Sequence, residues 1–135
     1  MGFSPPFSAS VESRNAVIRI ALTGELDLAS APVLKDLLSQ AEGDGSAAIM
    51  LDLRGVTFID STGLHAFVRA RKRAQENGHR LILVGANEQA RKLFELTGTE
   101  SLLDGEEAVS VLDQFTGSRA RRSGQRALQD GQRDG

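Results

Sequence analysis

The stretch Val56-Thr57-Phe58-Ile59-Asp60-Ser61-Thr62-Gly63-Leu64-His65 changes character half-way along. Its first four residues keep the apolar, β-favouring composition of a strand. Asp60 and Ser61 are the residue types that cap helices. From Leu64 onward, apolar residues recur at helical spacing. A helix therefore begins near Asp60 or Ser61 and ends by Gly78. Leu64, Phe67, Val68, Arg71 and Ala74 fall on one face, Arg71 through its aliphatic stem. His65, Arg69, Lys72 and Glu76 fall on the other. Just upstream, residues 47–53 place Ile49, Met50 and Leu51 side by side, the pattern of a central strand buried on both faces. A buried strand that feeds a helix through a hydroxyl-rich turn is the unit that decides the fold.

The same unit recurs on either side. Phe7, Ala9 and Val11 alternate with polar residues, as in a half-buried edge strand. Residues 12–15 then turn the chain, Asn15 being tolerant of positive φ. Residues 16–22 read as an antiparallel second strand that Thr23-Gly24 ends. Ser30 is placed to cap a helix with Pro32 in its first turn and Leu34, Leu37, Leu38 and Ala41 on one stripe. Gly43 and Gly45 stop it. Residues 80–84 form another buried-type strand. Asn87 caps a helix with Ala90, Leu93, Phe94 and Thr97 on its stripe, closed by Gly98. Residues 101–103 read as a short edge strand, and Ala108, Val111, Leu112 and Phe115 mark a last helix. This βα rhythm predicts an α/β domain with a largely parallel sheet.

Composition removes whole classes of chemistry. The 135 residues suit one domain. With no cysteine, neither a disulfide framework nor a thiol nucleophile is possible. Two histidines, His65 and His79, leave little for a zinc site, and no metal or cofactor is expected. All six aromatics are Phe, a poor inventory for stacking single-stranded nucleic acid. The longest uncharged run, residues 1–11, holds two prolines and cannot span a membrane. It also lacks the positive start of a signal peptide, and Pro6 breaks the myristoylation pattern. A reducing cytoplasm is the expected location.

Charge is divided unevenly. Residues 1–117 carry 11 basic and 16 acidic side chains, whereas residues 118–135 carry five arginines and two aspartates. That basic segment has a single Leu and three Gly, too little apolar surface to offset its ordering entropy, and reads as disordered.

Ligands approach such sheets at the carboxyl ends of the strands. Three loops converge there: residues 24–27, 59–63 and 85–87. The middle one sets hydroxyls at a helix N-terminus, where unpaired N–H groups and the helix dipole favour an anion. The competing reading is that Asp60 or Ser61 simply caps a helix.

The sequence resembles the anti-sigma factor antagonists, the bacterial members of the STAS-domain family. The matching residues are Leu22-Thr23-Gly24-Glu25-Leu26-Asp27, Leu51-Asp52-Leu53, Phe58-Ile59-Asp60-Ser61-Thr62-Gly63-Leu64 and Lys92-Leu93-Phe94-Glu95-Leu96-Thr97-Gly98. The resemblance implies a single STAS-like domain over residues 7–116, after a short extension of residues 1–6 and before a disordered basic tail of residues 117–135. It implies a mixed four- to five-stranded sheet with about four helices. It further implies partner switching. The dephosphorylated protein binds an anti-sigma factor, a serine kinase of the histidine-kinase-like ATPase fold, and sigma is released. Phosphorylation of Ser61, with Thr62 the weaker candidate, parts the complex, and a PP2C-type phosphatase restores it. Asp27, Asp60, Thr62, Gly63 and Leu64 would line the partner surface. His65, which stands where several members carry Gly, would join that surface.

Three rivals use the same chain. A STAS scaffold subunit of a stress-signalling or lipid-transport complex keeps the fold and changes the role. A small hydrolase would pair Ser61 with His65 at i, i+4, but no G-x-S-x-G elbow is present. The cluster Arg69-Ala70-Arg71-Lys72-Arg73 could meet phosphates, yet neither a P-loop nor a dinucleotide fingerprint appears, so direct nucleic-acid binding is not expected.

Overall fold

A computed structural model describes residues 6–103 and 106–117. The elements run β1 (Ser8–Arg14), β2 (Val17–Leu26), α1 (Ala31–Glu42), β3 (Ala48–Ile59), α2 (Ser61–Asn77), β4 (Arg80–Val84), α3 (Glu88–Leu96), a 3-10 turn (Glu100–Leu102) and α4 (Glu106–Thr116). The four strands lie in the order β1-β2-β3-β4. β1 pairs antiparallel with β2, whereas β2–β3 and β3–β4 are parallel. The sheet is therefore mixed, as expected.

The hairpin turns later than the sequence suggests. β1 runs to Arg14, and the two-residue turn is Asn15-Ala16, with φ of 54° and 64°. Two consecutive positive φ values match the twist of the flanking strands. Thr23-Gly24 does not end β2 either. Thr23 pairs with Gly55 and Gly24 with Val56, so the strand continues to Leu26. Two register shifts in this stretch each leave one extra residue on β3, the signature of bulges. Gly55 makes this approach possible, since a Cβ there would lie 2.7 Å from the Leu22 carbonyl oxygen. The expected strand at residues 101–103 is instead the 3-10 turn, held by Leu102 N–H to Thr99 O at 3.0 Å. Leu103 makes a single parallel bridge to Leu83.

Alternation along the strands gives the sheet two apolar faces. Ile18, Ile20, Ile49, Leu51, Leu81 and Leu83 meet α1, α2 and α3, and Phe67 stacks on Phe94 with centroids 6.4 Å apart. Val17, Ala48, Met50 and Ile82 point the other way, under Ala108, Val111 and Phe115 of α4. The buried stripe of α2 is rotated from the expected one. Ala66 and Ala70 join Leu64, Phe67 and Ala74, while Val68 is left 36% exposed. The helix packs against α1 as well as the sheet. Leu112 is likewise exposed on α4. Of the expected disordered tail, residues 117–135, only Gly117 is described, its N–H donating to Asp113 O at 2.8 Å; the rest lies outside the described residues.

Candidate functional site

Because β2, β3 and β4 run parallel, the loops that follow them gather at one edge of the sheet. Each is fixed by a short polar side chain acting on backbone N–H groups. In the first, Asp27 Oδ1 accepts from the N–H of Ala29 at 3.0 Å and of Ser30 at 3.2 Å. Ser30 holds the N-cap position of α1, but its hydroxyl makes no cap bond there. It accepts from Asp27 N–H at 2.9 Å and donates to Glu25 O at 2.8 Å. The expected cap thus became a loop brace.

In the second loop, Asp60 leaves β3 in an extended conformation, and its Oδ1 accepts from Gly63 N–H at 3.0 Å. Its own N–H donates to Leu26 O at 3.1 Å, which ties this turn to the end of β2. Gly63 is buried because α2 must pass close to β2. A Cβ on it would lie 2.8 Å from both Cγ and O of Leu26. Leu64 is also inside, 2% exposed. Both residues therefore shape the surface from beneath. Ser61 and His65 stand exposed, and Thr62 and Asp27 are half-buried. The Ser61 hydroxyl makes no hydrogen bond with any described residue, the His65 ring included. That leaves the hydrolase reading without its nucleophile–base contact.

At the third loop sequence reasoning missed one residue, Gln89 in the first turn of α3. Asn87 caps α3 through Ala90 N–H at 2.9 Å, as expected, and its amide also reaches Val56 O at 3.3 Å. Gln89 pairs with the backbone of Ile59 in both directions, accepting its N–H at 3.1 Å and donating to its O at 2.9 Å. A side-chain amide so continues the sheet ladder one residue before Asp60. No local signal announces it, since the partners are 30 residues apart.

Asp52, in the middle of β3, belongs to a separate assembly on the α4 side of the sheet. It is 3% exposed and accepts from Arg19 at 2.6 Å and from Arg54 at 2.6 Å. Burial raises its carboxyl, but the side-chain and backbone hydrogen bonds from Arg54, with Arg19, outweigh that and hold it at about 2. The same bond raises Arg54. No group of three or more metal-ligating side chains occurs among the described residues, and none of their helices is long and apolar enough to cross a membrane.

The STAS domain family model matches residues 8–112. The chain belongs to the STAS domain family. It is 34% identical over 92 residues to the anti-sigma-B factor antagonist of Staphylococcus aureus, a match covering 68% of this chain and 85% of that protein. Such relatives place the STAS chain among the family's anti-sigma factor antagonists. The fold agrees. A Mycobacterium paratuberculosis anti-sigma factor antagonist superposes with a TM-score of 0.71 at 23% identity, over 84% of this chain and 99% of that one. The antagonist SpoIIAA in its unphosphorylated form gives 0.66 at 23% identity, over 82% and 97%. Its phosphorylated form gives 0.60 at 23% identity, over 78% and 99%.

Proposed function

We propose that this STAS protein is a partner switch whose acceptor is Ser61. Unphosphorylated, it binds a serine-kinase anti-sigma factor of the ATPase fold and so frees sigma. The kinase transfers the γ-phosphoryl group of ATP to Ser61 Oγ, which loses its proton, and ADP leaves. The complex then parts. A PP2C-type phosphatase hydrolyses the ester with water and restores binding. Asp27, Asp60, Thr62 and His65 bound the contact surface, with Gly63 and Leu64 supporting it from the core.

One observation carries this reading: Ser61 is an exposed, unpartnered hydroxyl on a rigidly braced turn. A phosphate there adds about −1.5 to −2 charges. The α2 N-terminus returns roughly 0.3–1 kcal/mol per favourable charge, and the Asp60 carboxylate opposes it. Those terms nearly cancel, so the fold persists. The partner, which must pack on the same turn, meets an unpaired dianion.

The test is capture from cell lysate with Ser61→Ala and Ser61→Asp chains as bait. The Ala chain retains an ATPase-fold partner and the Asp chain loses it. Equal partner sets would refute the switch.

A further inference from the structure

Beside the switch turn, residues of α1, α2 and the loop before α1 line an open groove of about 290 Å³. We infer that this groove docks a short segment of the anti-sigma partner in which an acidic side chain flanks an apolar one. The inference rests on the partner-switch reading and names the chemistry of the contact that accompanies it.

The groove has an apolar wall from Leu28, Pro32 and Ala66. Leu28 is 74% exposed at its mouth, an aliphatic side chain left in water within one residue of Asp27. Thr62 lines the end adjoining Ser61, so the groove continues the proposed contact surface. Three cations complete the lining, Lys35 from α1 and Arg69 and Arg73 from α2, with no carboxylate among the lining residues. Arg73 is neutralised by Glu42 at 3.0 Å. Lys35 and Arg69 form no ion pair among the described residues. On a chain whose residues 1–117 are acidic overall, two unpaired cations over an apolar wall are a local reversal of sign. Complementarity of charge calls for an acidic occupant, and the wall calls for an apolar neighbour beside it. The volume sits at the lower limit for small-molecule pockets, about 300 Å³, and suits one or two side chains of a larger partner. This also gives a use to the Arg69–Arg73 cluster, which the switch itself leaves idle.

The chain has no cysteine, so Leu28→Cys carries a benzophenone label at one place only. The probe is the protein that the Ser61→Ala chain retains and the Ser61→Asp chain loses. Two measurements are made with it. The Lys35→Glu/Arg69→Glu chain should bind at least about tenfold more weakly at low salt, with the gap narrowing as salt screens the contact. The milder Lys35→Gln/Arg69→Gln chain should show a smaller loss in the same direction, which guards against misfolding of the charge reversal. The labelled chain should cross-link to a partner peptide holding Asp or Glu next to Leu, Ile, Phe or Met. Unchanged affinity in both variants, or cross-links only to basic peptides, a second copy of this chain or nucleic acid, would overturn the groove while leaving the switch standing. Equal partner sets for the two baits would overturn the switch, and the groove with it.

Discussion

Two aspartates divide β3 and its exit between them, and they do opposite things. Asp52 is buried, faces the α4 side, and has its carboxylate filled by Arg19 and Arg54. Asp60 sits half-exposed at the strand's end, spends one oxygen on the first turn of α2, and makes no ion pair among the described residues. A saturated carboxylate is a stability element. A carboxylate with spare capacity beside an unpartnered hydroxyl is what the proposed partner contact would use. The difference teaches that charge alone does not locate the site; the state of partnering does.

Asp52→Ala should cost the most stability. It removes the acceptor of several charged hydrogen bonds, and the loss should be about 2–3 kcal/mol by urea unfolding, with affinity for the partner unchanged. The same residue predicts an acid limb. Its native carboxyl, at about 2, lies below the roughly 3.9 of an unfolded aspartate. The unfolded chain therefore takes the proton first, so this stabilisation is complete above about pH 5 and fades as pH falls towards 2. Asp52→Asn should flatten that limb; an unaltered limb would mean that other carboxylates set it.

Gly63→Ala comes next. The added methyl meets Leu26, so the first turn of α2 must shift, at about 1–3 kcal/mol. Unlike the Asp52 change, it should also weaken partner binding, because Ser61 moves with the turn. A loss of stability with full affinity would show that the contact tolerates the displacement. Asp60→Ala should be the mildest, about 1 kcal/mol for a lost cap. Thermal unfolding compared with Asp52→Ala would break the contrast between the two aspartates if the order were reversed.

Much of this architecture was legible because it is written in local periods. The strand–cap–helix passage through residue 60, the Asn87 cap, the stripe of α1 and most of that of α3 need only near neighbours, although Thr97, expected on the α3 stripe, is exposed just past the helix end. What was misread depends on pairing at a distance. Thr23-Gly24 looks like a stop, yet the bulged pairing with Gly55 and Val56 carries β2 onward. Ser30 looks like a cap, yet Asp27 and Glu25 claim its hydroxyl. Gln89 carries no motif, because its role exists only once β3 lies beside α3. At the candidate site, the Asp60 cap and the exposed hydroxyl of Ser61 are readable from residue types, but the inward placement of Gly63 and Leu64 needed the packing against Leu26.

The central claim is that a phosphate on Ser61 acts at the contact surface and leaves the fold intact. The direct measurement is the dissociation constant of the switch-dependent partner for the chain phosphorylated at Ser61 against the unmodified chain, on samples shown folded at the working temperature. The account predicts at least about a hundredfold weakening, some 3 kcal/mol. Equal affinity of the two folded chains would contradict it.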